Sequence, residues 1–451
     1  MTLVSSPLLD SLRLDRRLAG VLERAAPRRH GRVVSVRGLS IVIRGLAVRI
    51  GELVTIGSDD SLLAEVVAVE GDRASCLPLG SLDGIGGGDR VTATGEPLRI
   101  AVGEELRGRV LDGLGRPLDE AAGQLGRGLE RVSVELGPPP ALQRQAVDVP
   151  IGVGVRAIDT LTPIGRGQRV GIFAGSGVGK SSLLSMITRG TTAKLTVVAL
   201  IGERGREVND FLDHSLGPEG LKNAIVVVAT SDQPPMVRLR AAFVATRIAE
   251  HFRDAGEDVL LLMDSITRLA MAQREVGLSV GEPPATRGYP PSVFAMLPRL
   301  LERTGGAALG SITALYTVLV EGDDHSEPIA DTARSILDGH IVLDRKLATA
   351  GHFPSIEILE SVSRVADAVT TPEQRDLARA TRQLLAARRE VRELVEIGAY
   401  VSGANPTADR ALASWPALQA FLRQGMDEQI DARDAWAQLA AVLAPPPAVI
   451  T

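Results

Sequence analysis

Residues 174–181 are the most informative part of the sequence and read Ala174-Gly175-Ser176-Gly177-Val178-Gly179-Lys180-Ser181. An apolar run, Val170–Phe173, comes directly before it, and a helical pattern, Ser182–Thr188, follows it. In such a strand–loop–helix, glycines let several backbone N–H groups curl around one phosphate at the positive end of a helix. Ala174 stands where the strict pattern has glycine, and alanine is the least disruptive replacement. The stretch therefore predicts a nucleotide-binding loop, and the alternative is an incidental glycine turn before a helix.

The side chains at the end of this loop predict its ligands. Lys180 supplies a cation for the β- and γ-phosphates, and the Ser181 hydroxyl is placed to coordinate Mg²⁺. We expect the residues from Ala174 to Ser182 to bind the nucleotide, with ATP or ADP and Mg²⁺ as the cofactors.

Two carboxylates at strand ends predict hydrolysis in addition to binding. Asp264 follows the apolar strand Val259–Met263, at the sheet edge where it can hold Mg²⁺ through water, although a strand-end aspartate can also cap the next helix. Glu203 closes another apolar strand and can orient the attacking water. Arg204 either contacts the γ-phosphate or pairs with Glu207, and the sequence favours neither.

The rest of the chain divides by its pattern. Apolar runs alternate with helical stretches between residues 150 and 360, which predicts a mainly parallel α/β sheet covered by helices on both faces. Short β runs separated by glycines predict a small barrel before it, and a Thr371–Gln374 capping box and Gly398 delimit a later helical region. The predicted divisions are a helical arm (1–29), a β-barrel domain (30–97), a connector (98–150), the nucleotide-binding domain (151–360) and a C-terminal helical domain (361–451). The predicted strands of the nucleotide-binding domain are Val170–Phe173, Leu195–Ile201, Ile225–Ala229, Val259–Met263, Ile312–Val320 and Ile341–Leu343.

Composition narrows the class of protein. Net charge is −5, the isoelectric point is near 5.8 and aromatic residues make up 3% of the chain, which disfavours a nucleic-acid partner. Cys76 is the single cysteine, so an intrachain disulfide is impossible. The sequence has no apolar run of the roughly 18 residues that a bilayer span requires, and we expect a cytoplasmic protein.

Six stretches resemble known ATPases. Three of them resemble the catalytic ATPases of the rotary ATP synthase superfamily: GSGVGKSS (175–182), IGERGREV (201–208) and LLLMDSITRLAMAQRE (260–275). The other three resemble one branch, the type III export ATPases of flagella and injectisomes: GEPPATRGYPPSVFAMLPRLLERTG (281–305), YTVLVEGDDHSEPIADTARSILDGHIVLDR (316–345) and EIGAYVSGANP (396–406).

This resemblance implies an architecture and further site residues. It implies an N-terminal β-barrel, a RecA-like nucleotide domain and a C-terminal helical domain, assembled as a homohexamer with nucleotide at subunit boundaries. It supports Lys180 and Glu203 as catalytic residues and implies that Arg364 is an arginine finger acting on the neighbour's nucleotide. It also implies that Phe353 packs on the adenine, where the family often has tyrosine.

The function implied is an ATPase that energises protein export at the inner face of the cytoplasmic membrane, with the flagellar system favoured over the injectisome. The implied partners are export-apparatus proteins, regulator or stalk subunits, export substrates with their chaperones, and a membrane-embedded export gate. The alternatives are a rotary synthase or vacuolar-type subunit, a hexameric RNA translocase, and a non-catalytic nucleotide-gated scaffold.

Overall fold

The computed structural model of the protein describes residues 30–57, 61–119, 123, 125–126, 128–320 and 327–444. The predicted arm at residues 1–29 lies outside the described residues. The chain divides into two compact units, Met1–Pro97 and Leu98–Thr451.

The first unit contains a closed barrel of six antiparallel strands, as the glycine-punctuated β pattern predicts. Its strand order is β1-β2-β5-β4-β3-β6, and the barrel closes because β1 pairs with β6. Alternate residues point inward, so that Ile41 and Ile43 of one strand are buried while their neighbours are only partly covered. The strands are β1 His30–Arg37, β2 Ser40–Arg44, β3 Glu52–Ile56, β4 Leu62–Glu70, β5 Arg73–Pro78 and β6 Arg90–Pro97.

The second unit is built on a nine-stranded sheet in the described part of the chain. Its order is β19-β18-β12-β17-β15-β13-β14-β8, with β16 paired to β17. Only β19 and β16 run antiparallel to their neighbours. The unit also contains two small two-stranded sheets, β7–β9 and β10–β11. Its strands are β7 Arg99–Val102, β8 Val110–Asp112, β9 Glu130–Ser133, β10 Pro150–Ile151, β11 Ile164–Gly165, β12 Arg169–Ala174, β13 Leu195–Glu203, β14 Ala224–Thr230, β15 Asp258–Asp264, β16 Gly305–Gly306, β17 Ser311–Leu319, β18 Gly339–Leu343 and β19 Val362–Ser363.

Helices cover this sheet and continue into the C-terminal region. A six-residue π-helix, Phe211–Leu216, lies between two of them. The α-helices are α1 Arg156–Leu161, α2 Lys180–Gly190, α3 Gly205–Asp210, α4 Gly217–Lys222, α5 Pro235–Asp254, α6 Ile266–Ser279, α7 Pro291–Leu301, α8 Pro328–Ile336, α9 Arg345–Thr349, α10 Pro372–Glu396, α11 Pro406–Leu422 and α12 Ala432–Leu443. Among the described residues, none of these helices combines the length and the apolar character that a bilayer crossing needs.

The central strands are mostly apolar and are buried along almost their whole length because both faces of the sheet are covered. All nine residues of β13 are buried, and β15 and β17 are buried at all but one position each. The predicted parallel α/β core is therefore confirmed. The capping box is present, since the Thr371 side chain accepts from the Gln374 backbone and the Gln374 side chain accepts from Thr371 N–H.

The sheet extends beyond the limits of 151 and 360 that the sequence pattern predicts. At one end β8, from the predicted connector, pairs in parallel with β14. At the other end β19, from the predicted helical domain, pairs with β18. Both strands are only two or three residues long, and so short a run carries no readable periodicity.

Candidate active site

The phosphate-binding loop connects β12 to α2. Gly177 and Gly179 have φ of +75° and +90°, a left-handed conformation that a side chain would strain. The Ser355 hydroxyl donates to the Val178 carbonyl at 2.6 Å, and the Arg345 guanidinium donates to the Ser176 carbonyl at 3.0 Å. These two bonds fix the loop from outside it.

The loop opens on a cleft of about 570 Å³ at the carboxyl edge of the sheet. This is the edge at which open α/β sheets bind ligands. The Ser181 side chain is exposed and that of Ser182 is half-buried. The cleft is lined by Ala174, Gly175, Ser176, Gly177, Gly179, Lys180, Ser181, Ser182, Glu203, Arg204, Glu207, Arg268, Leu319, Val320 and Arg345.

Lys180 and Asp264 form an ion pair beside this cleft, where Asp264 lines an adjoining pocket together with Ser181. The Lys180 ammonium donates to both carboxylate oxygens of Asp264, whose side chain is buried. Asp264 is the last residue of β15, and Ser265, not Asp264, caps the helix that follows. Asp264 is therefore not the cap of the helix that follows it, and the Asp264 carboxylate faces the phosphate loop.

Glu203 is a buried carboxylate beside two cations. It is 5% exposed, and its Oε1 lies 3.7 Å from Lys180 Nζ and 3.4 Å from Arg268 Nε. This Oε1 makes no hydrogen bond within the described residues. Burial, helped by a hydrogen bond that protonated Glu203 donates to Glu207 and by the negative charge of Asp264, raises the pKa of Glu203 to about 7. A carboxylate with a pKa near neutrality and a free acceptor oxygen suits a general base that orients water.

Arg204 lies at the rim of the cleft. Its side chain is 79% exposed, and its guanidinium is 3.7 Å from the Glu207 carboxylate. Such an exposed ion pair stabilises little, so the guanidinium can exchange this partner for a ligand.

Phe353 lies beside the phosphate loop. A Cβ placed on Gly179 would be 3.3 Å from two carbons of the Phe353 ring. The ring is 43% exposed, and the Phe353 carbonyl accepts from Gln424 N–H at 3.0 Å. An exposed aromatic face next to the phosphate loop is available to stack on a nucleotide base.

Arg364 lies far from the phosphate loop of its own chain. It follows β19, where Ser363 pairs with Gly339 at the amino-terminal end of β18, and its own N–H donates to Asp338 O. Leu343, at the other end of β18, pairs with Ala174 of β12. Gly339 and Leu343 are four residues apart, which is a distance of about 13 Å along the strands. The two spacings from β19 to β18 and from β18 to β12 add about 10 Å across the sheet. The exposed Arg364 guanidinium contacts the Arg334 carbonyl at 3.3 Å and cannot reach this cleft.

The cleft fits a magnesium ion that is held mainly by a nucleotide. Within the described residues, no group of three or more His, Cys, Asp or Glu side chains could hold a metal unaided. Ser181 and Asp264 both contribute oxygen atoms to the neighbourhood of the loop. Mg²⁺ prefers such sites, with one or two protein oxygens plus phosphates and water.

The motifs alone did not identify two polar side chains of the site. Arg268, in the first turn of α6, donates to the Gly202 carbonyl and lies against Glu203. No local signal pointed to it, because both contacts are made to a strand more than sixty residues earlier in the chain. Thr317 donates to Asp264 Oδ1 at 2.6 Å, and no sequence signal set it apart, because the same strand also contains Ser311 and Thr313.

Family models match three consecutive parts of the chain. The beta-barrel domain of the ATP synthase alpha/beta family matches residues 31–95, and the nucleotide-binding domain of the same family matches residues 154–363. The C-terminal domain of the T3SS EscN ATPase matches residues 370–441.

Individual relatives are similar over most of their length. The "Flagellum-specific ATP synthase" of Bacillus subtilis is 52% identical over 89% of this chain and 92% of its own. The "SPI-2 type 3 secretion system ATPase" of Salmonella typhimurium is 49% identical over 89% and 92%. The assembled ATPase EscN of the enteropathogenic E. coli type III secretion system superposes with a TM-score of 0.88, at 46% identity over 92% of this chain and all of that one. EscN has also been solved in complex with its central stalk EscO.

Proposed function

The chain belongs to the ATP synthase alpha/beta family, in its branch of type III secretion ATPases, and on that premise we propose that it hydrolyses Mg-ATP to energise protein export through a flagellar apparatus. The single observation that carries the proposal is the position of Glu203. A buried carboxylate with a pKa near 7 lies next to Lys180 at the end of a phosphate-binding loop. A nucleotide-gated scaffold has no need of such a group.

The roles of the residues follow from their positions. The loop N–H groups and Lys180 bind the phosphates, and Ser181 and Asp264 would hold Mg²⁺, which would neutralise charge that develops on the phosphates. Glu203 orients a water molecule and accepts its proton. Binding of a triphosphate redirects Lys180 from Asp264 to the phosphates.

The position of Arg364 supports assembly into a ring. Its guanidinium is exposed and too far from its own cleft, so it can act as a finger only on the nucleotide of another subunit. A head-to-tail contact that repeats and closes gives a ring, and the family resemblance favours six identical subunits. Arg204 then remains available for the γ-phosphate of the nucleotide that is bound to its own chain.

The turn between α10 and α11 supports contact with a stalk subunit. Ile397 and Val401 on this turn are 75% and 70% exposed. The turn is held in shape, since Asp409 accepts from Tyr400 Oη at 2.9 Å and from Gly403 N–H at 2.8 Å. An ordered, exposed apolar tip is typical of a protein-binding surface. We propose that a stalk protein of the export apparatus binds there.

The remaining parts of the proposal concern the export system itself. The ATPase lies at the inner face of the cytoplasmic membrane, against a membrane-embedded export gate, and acts on export substrates and their chaperones. An injectisome is the second candidate, because relatives of both systems have almost equal identity to this chain.

The enzymatic half is tested by steady-state hydrolysis. The purified full chain is assayed over a concentration series with Mg²⁺ and with chelator, and its mass is recorded in parallel. We expect turnover per subunit to rise as the protein assembles, to need Mg²⁺, and to vanish in Glu203→Gln. Concentration-independent turnover of a monomer would contradict the shared site.

The choice of export system is tested by complementation. The chain is expressed in Bacillus subtilis lacking its flagellum-specific ATP synthase and in Salmonella typhimurium lacking its SPI-2 ATPase, with Glu203→Gln as the inactive control. Restored swimming without restored SPI-2 secretion supports the flagellar assignment, and the reverse pattern supports the injectisome.

A further inference from the structure

Thr317 is a fully buried hydroxyl at the centre of the nucleotide-binding sheet. It is 0% exposed and lies near the end of β17, between two other fully buried residues, Tyr316 and Val318. A buried hydroxyl has to be hydrogen-bonded within the protein, because burial without a partner costs free energy. Its closest partner is Asp264 Oδ1 at 2.6 Å, and the Met263 carbonyl lies at 3.5 Å.

The sheet topology explains why Thr317 meets Asp264. β17 lies between β12, which leads into the phosphate loop, and β15, which ends at Asp264. Met263 pairs with Tyr316 in the parallel ladder, so Asp264 is level with Thr317 on the neighbouring strand. The contact therefore joins two rigid strands and involves no mobile loop.

Asp264 has a second donor, but that donor has another task. Lys180 bonds both oxygens of Asp264, and the proposed function requires Lys180 to turn toward the phosphates when nucleotide binds. Thr317 then remains as the donor that keeps Oδ1 in place. Once Lys180 has turned away, Oδ2 is the carboxylate oxygen left without a donor, in the pocket that Asp264 lines together with Ser181.

We propose that Thr317 is a positioning residue, which holds Asp264 Oδ1 through its hydroxyl so that Oδ2 is presented to the water shell of the bound magnesium ion. The inference rests on the proposed function, because it assigns Thr317 to the same metal-nucleotide site. Thr317 touches neither nucleotide nor metal, and it acts through Asp264 alone. Its role is to make the affinity for nucleotide depend on Mg²⁺.

Two substitutions separate the hydroxyl from the packing. Thr317→Val keeps the β-branched shape and removes the donor, whereas Thr317→Ser keeps the donor and removes the methyl group. If Thr317 only filled space, Val would serve as well as Thr and Ser would be the worse replacement. If the hydroxyl positions Asp264, Ser should be the better replacement and Val the worse one.

The measurement is the dissociation constant of a fluorescent ATP analogue for the full chain, with Mg²⁺ and with chelator. The ratio of the two constants is the magnesium-dependent gain. Because a hydrogen bond to a charged acceptor is at stake, we expect Thr317→Val to reduce this gain about tenfold or more while metal-free binding changes less than about twofold. We expect Thr317→Ser to keep the gain within about threefold, and thermal unfolding of each variant shows whether it is folded.

The possible results separate the role of Thr317 from the magnesium-dependent binding of nucleotide on which it rests. No magnesium-dependent gain in the wild type would overturn the proposed metal role itself. A wild-type gain that Thr317→Val retains would overturn the assignment of Thr317 alone. Equal losses in the Ser and Val variants would also overturn it, because the hydroxyl would then not be the cause.

Discussion

Lowering the pH through 7 should protonate Glu203 and slow hydrolysis. The pKa of a glutamate carboxyl is ordinarily 4.5, and burial raises that of Glu203 to about 7. A general base works only when ionised, and the ionised fraction of such a group falls from about 90% at pH 8 to about 10% at pH 6. We therefore expect kcat/KM to fall about ninefold between these two pH values.

Arg268 provides the perturbation that identifies the titrating group. Its Nε lies 3.4 Å from Glu203 Oε1, and its positive charge favours the ionised carboxylate. Arg268→Gln removes that charge, so the pKa of Glu203 should rise further and the acid limb of the profile should move to higher pH. Arg206→Gln is the matched control, because the Arg206 side chain is 91% exposed and pairs with Asp210.

The assay is kcat/KM for ATP from pH 5.5 to 8.5 at saturating Mg²⁺ and constant ionic strength. ATP has its own phosphate ionisation in this range, and that ionisation is the same for every variant. If the acid limb of the profile lies at the same pH in wild type, Arg268→Gln and Arg206→Gln, the group that titrates is the phosphate of ATP. That result would refute the role of Glu203. A limb that moves only in Arg268→Gln supports it.

Three further predictions concern stability and the phosphate loop. Burial raises the pKa of Glu203 in the folded protein above its pKa in the unfolded chain. The ionised carboxylate therefore lowers the stability of the fold progressively as the pH rises from the unfolded pKa to about 7. Glu203→Gln should raise the unfolding temperature at pH 8, with a smaller difference at pH 5. Arg303 and Glu250 form a fully buried ion pair at 2.7 Å, so Arg303→Met should cost about 3–5 kcal/mol in denaturant unfolding, and adding Glu250→Leu should recover most of it. Gly179→Ala should weaken nucleotide binding in a fluorescence titration at least about tenfold, because φ is +90° and the new Cβ would press on the Phe353 ring at 3.3 Å.

The sequence was sufficient to predict those parts of the site that depend on local order along the chain. A strand, a glycine loop and a helix in succession specify where Lys180 and Ser181 lie, because the loop geometry is set by neighbouring residues. A carboxylate after an apolar strand specifies the edge of the sheet, and both Glu203 and Asp264 lie there. The barrel and the C-terminal helices were predictable for the same reason, since their periodicity is local.

Contacts between distant segments could not be predicted in this way. Thr317 meets Asp264 only because β17 is inserted between β12 and β15, and strand order is not written in hydrophobic periodicity. Arg345 reaches the Ser176 carbonyl across 169 residues of sequence. The pKa of Glu203 also depends on burial by several elements together. The roles assigned to the site residues, Lys180, Glu203 and Asp264 as much as Arg204, Phe353 and Arg364, stay predictions, and so do the domain boundaries.

The central claim, an active site completed by a neighbouring subunit, is tested most directly by mixing two inactive variants. Glu203→Gln lacks the base and keeps Arg364, whereas Arg364→Ala lacks the finger and keeps Glu203. If the two chains are co-assembled at equal amounts into rings, about one quarter of the interfaces combine an intact Glu203 with an intact Arg364 from the neighbour. We expect the mixture to recover up to about a quarter of wild-type turnover although each variant alone is inactive. A co-assembled mixture no more active than either variant alone would contradict it.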